Sequence, residues 1–164
     1  MRELDLSHAV KCGLIGEIVA FDQDPLSLAE VEARARRLAA PVKCVEASVT
    51  RLIAGRTTFA DFDFVYAAGL FDYLNVRAAK RLARAMFTML RPGGRMLIPN
   101  FLSGISDMGY METYMDWDLI YRDRAQIENL AADLVGSVEN VRYFEEAEHN
   151  IGFLLVQKSF ESHE

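Results

Sequence analysis

The chain has 164 residues, 51% of them hydrophobic and 26% charged, which is enough for one hydrophobic core and too few for two ordinary domains. A net charge of −6 argues against a nucleic-acid backbone as partner, because phosphate binding needs a concentrated positive surface. A small acidic ligand stays open, since one Arg can hold it. No apolar run reaches the roughly 20 residues needed to span a bilayer. The start, Met1-Arg2-Glu3-Leu4-Asp5, carries acids where a signal peptide needs a basic and then an apolar stretch, so the cytoplasm is the expected location. Cys12 and Cys44 lack zinc-ligand spacing and are expected as buried small hydrophobes, with no metal site.

In chain order, Leu4, Leu6, Ala9 and Val10 predict a short first helix closed by Gly13, with a turn at Gly16. Glu17 to Phe21 reads as a buried strand running into Asp22-Gln23-Asp24-Pro25. Asp24 can cap a helix over 26–38, with Pro25 at its first position. A strand over Val42 to Val45 and a short helix over Val49 to Ala54 follow. The run Phe62 to Ala68 is a strand that Gly69 breaks. From Val76 to Leu90, Ala79, Leu82, Ala83, Met86, Met89 and Leu90 recur at helical spacing, and Arg77, Lys80, Arg81 and Arg84 form the solvated face.

Leu90-Arg91-Pro92-Gly93-Gly94-Arg95 then predicts the end of that helix, with Arg91 in its last turn at the negative end of the dipole and Pro92 as the stop. Gly93 and Gly94 permit the turn into a strand over Arg95 to Pro99. No periodicity explains Asn100 to Trp117. A helix over about 123–134 ends near Gly136, and two β candidates, Asn140 to Phe144 and Ile151 to Lys158, close the chain. This alternation predicts an α/β fold with a three-layer, mostly parallel sheet and a C-terminal antiparallel strand pair.

An acid at the carboxyl end of a strand in such a sheet can accept hydrogen bonds from both hydroxyls of a ribose, and Asp22 stands there; with Asp24 it can also be a turn and cap pair. Ala68 and Gly69 are small enough for a ligand to approach the backbone, unless Gly69 serves the turn alone. His8, His149 and His163 have no metal-ligand spacing and read as surface or hairpin residues rather than catalytic ones.

The helix, Pro-Gly-Gly turn and strand resemble the turn before the fifth strand of S-adenosylmethionine-dependent methyltransferases of the Rossmann-like class. That resemblance implies S-adenosylmethionine as cofactor, with Asp22 on its ribose, Gln23 against its adenine, Ser48 and Val49 at the adenine edge, and Ala68 and Gly69 beside it. Ser48 can equally be a helix cap. A nicotinamide oxidoreductase would share Asp22 but not the later motifs.

Three stretches together carry a narrower resemblance: Ala67-Ala68-Gly69-Leu70-Phe71-Asp72-Tyr73-Leu74, Pro99-Asn100-Phe101, and Gly109-Tyr110-Met111-Glu112 with Asp116 to Arg122. They look like bacterial methyltransferases associated with methyl esters of 3-hydroxy fatty acids. A small-molecule acceptor with a carboxylate is implied, with Asn100, Tyr110, Glu112, Trp117, Tyr121 and Arg122 as substrate residues. Arg122 would pair with the carboxylate while Tyr110, Trp117 and Tyr121 line an apolar cleft; alternatively the aromatics are core and Arg122 pairs with a surface acid.

The family begins with a strand and a Gly-rich loop, yet only 21 residues precede Asp22, and they hold Gly13 and Gly16 in no Gly-x-Gly pattern. The first strand is therefore expected to be missing. Its absence implies weak or lost cofactor binding and two open strand edges, covered by a homodimer, a partner, or direct pairing of the flanking strands. A non-catalytic domain for dimerisation or regulation is the alternative function.

Overall fold

Two short parallel β pairs and two longer antiparallel pairs make up the sheets of this computed structural model, which describes residues 7–37, 40–106, 108–134 and 138–160. The chain divides into two compact units, Met1–Thr57 and Thr58–Glu164.

In the first unit, Ser7 caps α1 (His8–Lys11), a single helical turn. Parallel strands β1 (Ile18–Asp22) and β2 (Val42–Glu46) pair from Ile18↔Val42 to Asp22↔Glu46. Between them runs α2 (Pro25–Ala35), capped by Asp24, whose carboxylate accepts from the backbone N–H of Leu26 and Ser27, with Pro25 in the first turn. These bonds and one from the Ser27 hydroxyl hold the Asp24 carboxyl below its usual range, the hydroxyl contributing most. After β2, Ser48 caps α3 (Val49–Ile53). Leu4, Leu6 and the expected helix end at Leu38 lie outside the described residues. Cys12, the C-cap residue of α1, is exposed rather than buried, the buried side chain of that turn being Val10; Cys44 is half-buried, and both are free thiols.

The second unit holds a four-stranded sheet in the order β3-β4-β6-β5, made of β3 (Phe62–Tyr66), β4 (Leu90–Phe101), β5 (Val138–Glu145) and β6 (Ile151–Lys158). β3 and β4 are parallel; β6 is antiparallel to both β4 and β5. One sheet face carries Met96, Ile98, Leu154 and Val156, all fully buried. α4 (Val76–Thr88) packs on β4 through Ala79, Leu82, Ala83, Met86 and Phe87, each large side chain contributing about 1.5–3 kcal/mol by burial. Arg77, Arg81 and Arg84 are exposed and Lys80 pairs with Asp133, so the basic stripe is a solvated face. The α/β class, the parallel pairs and the C-terminal antiparallel pair agree with expectation.

The Leu90–Arg95 stretch departs from it. α4 stops at Thr88 and β4 already begins at Leu90, so Pro-Gly-Gly lies inside a twelve-residue strand. Arg91 is consequently past the helix and pairs with Asp63 on β3. The ladder passes from Phe62↔Leu90 to Phe64↔Arg95, a wide bulge on the β4 side. Gly93 takes φ +76, and its N–H donates to Ser159 O at 3.1 Å. A Cβ on Gly94 would lie 2.8 Å from Phe62 O and 2.9 Å from Arg91 O, so this residue is glycine for space.

The aperiodic stretch contains a helix, α5 (Met108–Tyr114), and the helix expected over 123–134 is α6 (Arg124–Glu128) with a 3-10 turn at Asn129–Ala131. Asp123 and Gln126 close a capping box on α6. The expected end near Gly136 and His163 lie outside the described residues. In the β5–β6 turn, Glu146 accepts from the N–H of Glu148, Asn150 and Ile151, while His149, at φ 55, places Nδ1 2.6 Å from Glu145 Oε2. His149 is thus the hairpin residue expected.

Among the described residues β1 has β2 as its one strand neighbour and β3 has β4, leaving one edge of each without a strand partner.

Candidate functional site

In the first unit the candidates gather at the carboxyl end of β1. Asp22 is exposed; its Oδ1 accepts from Asp24 N–H at 3.0 Å, and its backbone O accepts from Ala47 N–H at 3.0 Å. The first bond fixes the carboxylate in a turn and leaves Oδ2 without a hydrogen-bond partner among the described residues, the chemistry a pair of ribose hydroxyls requires. Gln23 is exposed beside it. Ser48 Oγ accepts from Arg51 N–H at 3.4 Å as the cap of α3, with Val49 the first residue of that helix. The cap reading of Ser48 is therefore the one its hydrogen bond expresses.

In the second unit Ala68 and Gly69 form an exposed turn after β3. Gly69 has φ +67 and open space where a Cβ would stand, so backbone conformation rather than packing calls for glycine there.

The carboxyl ends of β3 and β4 converge on a buried polar cluster. Arg122 is 3% exposed. Its Nη1 donates to Phe71 O at 2.8 Å and to Asn100 Oδ1, and its Nη2 donates to Leu74 O. Asn100, fully buried, donates from Nδ2 to Phe101 O and Ile120 O at 2.9 and 3.0 Å. Asp72 Oδ1 accepts from Phe101 N–H at 2.8 Å, and its backbone O accepts from Ile120 N–H at 2.6 Å. Burial pushes the Asp72 carboxyl up, against its bond from Phe101 and the charge of Arg122; burial pushes Arg122 down, with Asp72 opposing.

Arg122 thus corrects both sequence expectations. It meets neither solvent nor a surface acid, because three acceptors on two neighbouring segments surround its guanidinium. Asn100, expected to face substrate, likewise serves the chain's own carbonyls. Asp72 escaped the candidate set. The sequence signal for it was an acid set among Leu70, Phe71, Tyr73 and Leu74, where it must find donors once buried.

Of the aromatic candidates, Tyr110 is 60% and Trp117 38% exposed, so neither is core. Tyr110 stacks on Tyr114 with centroids 5.3 Å apart. Glu112 is exposed on the same helix. Tyr121 is half-buried, and its hydroxyl is shielded without a hydrogen-bond partner among the described residues. Burial, then the charges of Glu112, Asp72 and Asp118, push that phenol up. Among the described residues no group of three or more His, Cys, Asp or Glu could hold a metal, and no helix is long and apolar enough to cross a membrane.

Residues 5–94 match the model of a family described as a methyltransferase domain, more than half of the chain, and the chain belongs to that family. No curated protein matches it. Solved structures share its fold. One is a possible exported protein of Bordetella parapertussis, 15% identical at TM-score 0.72, matched over 87% of this chain and 53% of that one. A second is an S-adenosylmethionine-dependent methyltransferase of Methanosarcina mazei, 16% identical at TM-score 0.60, matched over 88% and 83%. A third is the magnesium protoporphyrin IX methyltransferase of Synechocystis with bound S-adenosylhomocysteine, 10% identical at TM-score 0.61, matched over 86% and 64%. The chain spans about half the length of the Bordetella protein.

Proposed function

We propose that this chain transfers a methyl group from S-adenosylmethionine to a small-molecule acceptor, with a 3-hydroxy fatty acid carboxylate as the acceptor class. Membership of the methyltransferase domain family supports the reaction. The observation that carries the cofactor is Asp22, an exposed carboxylate at the carboxyl end of a parallel strand, held in place by Asp24 N–H with an oxygen left over. Asp22 would hold the ribose and Gln23 would lie along the adenine. S-adenosylmethionine, when bound, supplies an electrophilic sulfonium methyl group.

A carboxylate is already ionised at pH 7, so the chain's task is alignment and exclusion of water, with no general base required. Tyr110, Trp117 and Tyr121 offer an aromatic surface for an acyl chain. Arg122 does not contribute its charge to this contact. The test is incubation of the full chain with methyl-labelled S-adenosylmethionine and medium-chain 3-hydroxy fatty acids. Base-labile labelled ester is the expected product; label on another acceptor class would move the substrate, and no label on any acceptor would remove the reaction.

The open edges of β1 and β3 favour one further reading, a domain used in assembly as a homodimer or with a partner strand. Light scattering distinguishes it: a monomer at all concentrations removes the homodimer.

A further inference from the structure

Asp72, Asn100 and Arg122 form a poor device for stability. They are 3%, 0% and 3% exposed, and no carboxylate oxygen of Asp72 is among the acceptors of Arg122. An apolar trio of the same volume would often be as stable or more so. What the trio achieves is connection. Through Phe71 O and Leu74 O the guanidinium grips the 3-10 turn after β3, and through Asn100 it grips the end of β4. Asn100 Nδ2 and the Asp72 backbone O then take hold of the carbonyl and the N–H of Ile120. Arg122 N–H donates to Phe101 O at 3.1 Å, Ser103 N–H donates to Arg122 O at 3.1 Å, and Leu102 and Arg122 form a single parallel bridge just past the end of β4.

The segment arriving at this clamp is the one that carries Tyr110, Trp117 and Tyr121. Within it Met111 and Leu119 are buried, Trp117 N–H donates to Met111 O at 3.1 Å, and Asp116 turns the chain at φ 52, while Tyr114 and Met115 are 79% and 43% exposed. Its downstream anchorage is the buried trio. Ligands of open α/β sheets bind beyond the carboxyl ends of the strands, which is where the trio sits in this unit.

We propose that Asp72, Asn100 and Arg122 are positioning residues that touch no substrate and set the geometry of the aromatic segment 108–121 against the ends of β3 and β4. The proposal rests on the methyl-transfer reading for what the segment does, and on hydrogen bonds alone for how it is held. It reassigns Asn100 and Arg122 from substrate contact to support, and adds Asp72.

Trp117 is the chain's single tryptophan, so its emission reports the segment without any ligand. Arg122→Lys keeps the charge but loses the planar fork, and one ammonium cannot serve three separated acceptors. Asp72→Asn keeps an acceptor for Phe101 N–H and removes the charge opposite Arg122. Both full-chain variants are expected to show acrylamide quenching of Trp117 raised about twofold or more, with far-UV dichroism unchanged and S-adenosylhomocysteine affinity within about twofold of the parent. With 3-hydroxydecanoate as acceptor probe, KM is expected to rise about tenfold, as small misplacements do.

Parent-like Trp117 quenching in folded variants overturns the proposal, whatever their melting temperatures. So does loss of cooperative unfolding in Asp72→Asn, which would make the trio a folding determinant. Failure of the parent chain to bind S-adenosylhomocysteine sinks the methyl-transfer reading instead, and leaves the Trp117 comparison to decide how the segment is held.

Discussion

Replacing Gly94 by Ala tests the Pro-Gly-Gly stretch as strand rather than turn. The added carbon would stand 2.8 Å from Phe62 O, 2.9 Å from Arg91 O and 3.2 Å from Leu90 Cβ. Two of these are backbone atoms of paired strands and cannot swing aside. Overpacking of this kind costs about 1–3 kcal/mol, and the lower chain entropy of unfolded Ala returns about 0.4–1 kcal/mol. A net loss of about 1–2 kcal/mol remains. With about 2.1 cal/mol/K of unfolding entropy per residue across the second unit, that lowers its melting temperature by about 4–9 °C. Scanning calorimetry of Gly94→Ala beside Gly69→Ala makes the comparison internal. Gly69 has φ +67 but no atom within 4 Å of its would-be Cβ, so its cost is left-handed strain alone, about 1–2 kcal/mol, in an exposed turn. Parent-like or higher stability of Gly94→Ala would refute the threading of Gly94 between Phe62 O and Arg91 O.

Asp123→Ala removes the carboxylate that accepts from Gln126 N–H, leaves the Asp123 N–H to Gln126 Oε1 half of the α6 capping box, and is expected to cost about 1 kcal/mol by urea denaturation, with Gln126→Ala losing less. Leu154→Ala empties a fully buried site between β4 and β5 and should cost about 2–5 kcal/mol in the same assay. The hydrogen bond to Glu145, aided by its charge, raises the His149 pKa, while bonds from Tyr143 and then His149 lower that of Glu145. The His149 contribution is therefore complete below its unfolded pKa and fades as pH rises through the raised value; that of Glu145 fades as pH falls through its lowered value. Nuclear magnetic resonance titration should show the His149 midpoint dropping toward the ordinary histidine value in Glu145→Gln and in high salt; an unmoved midpoint would dissolve the pair.

Local chemistry was legible where local atoms decide it. Asp24 with Pro25, Ser48 before Val49, and the β6 bounds Ile151–Lys158 all stand as the sequence reads, because caps and alternation act over a few residues. The start of β4 was not legible. Pro92-Gly93-Gly94 reads as a breaker by itself, and the partners that make it strand, Phe62 and Ser159, are distant in sequence. Arg122 was misread for the same reason: its acceptors lie 51, 48 and 22 residues away, so no window of sequence could show its charge turned inward. α5 hid in Met108–Tyr114 because its exposed aromatics follow no core-facing period.

Methyl transfer by this chain depends first on the proposed grip of Asp22 on the cofactor's ribose. Calorimetric titration of S-adenosylhomocysteine into the full chain and into Asp22→Ala measures it. The predicted result is binding by the parent that weakens about tenfold or more in the variant, the scale of a lost charge-assisted hydrogen bond. Equal affinity in the two proteins, or none in the parent, would contradict it.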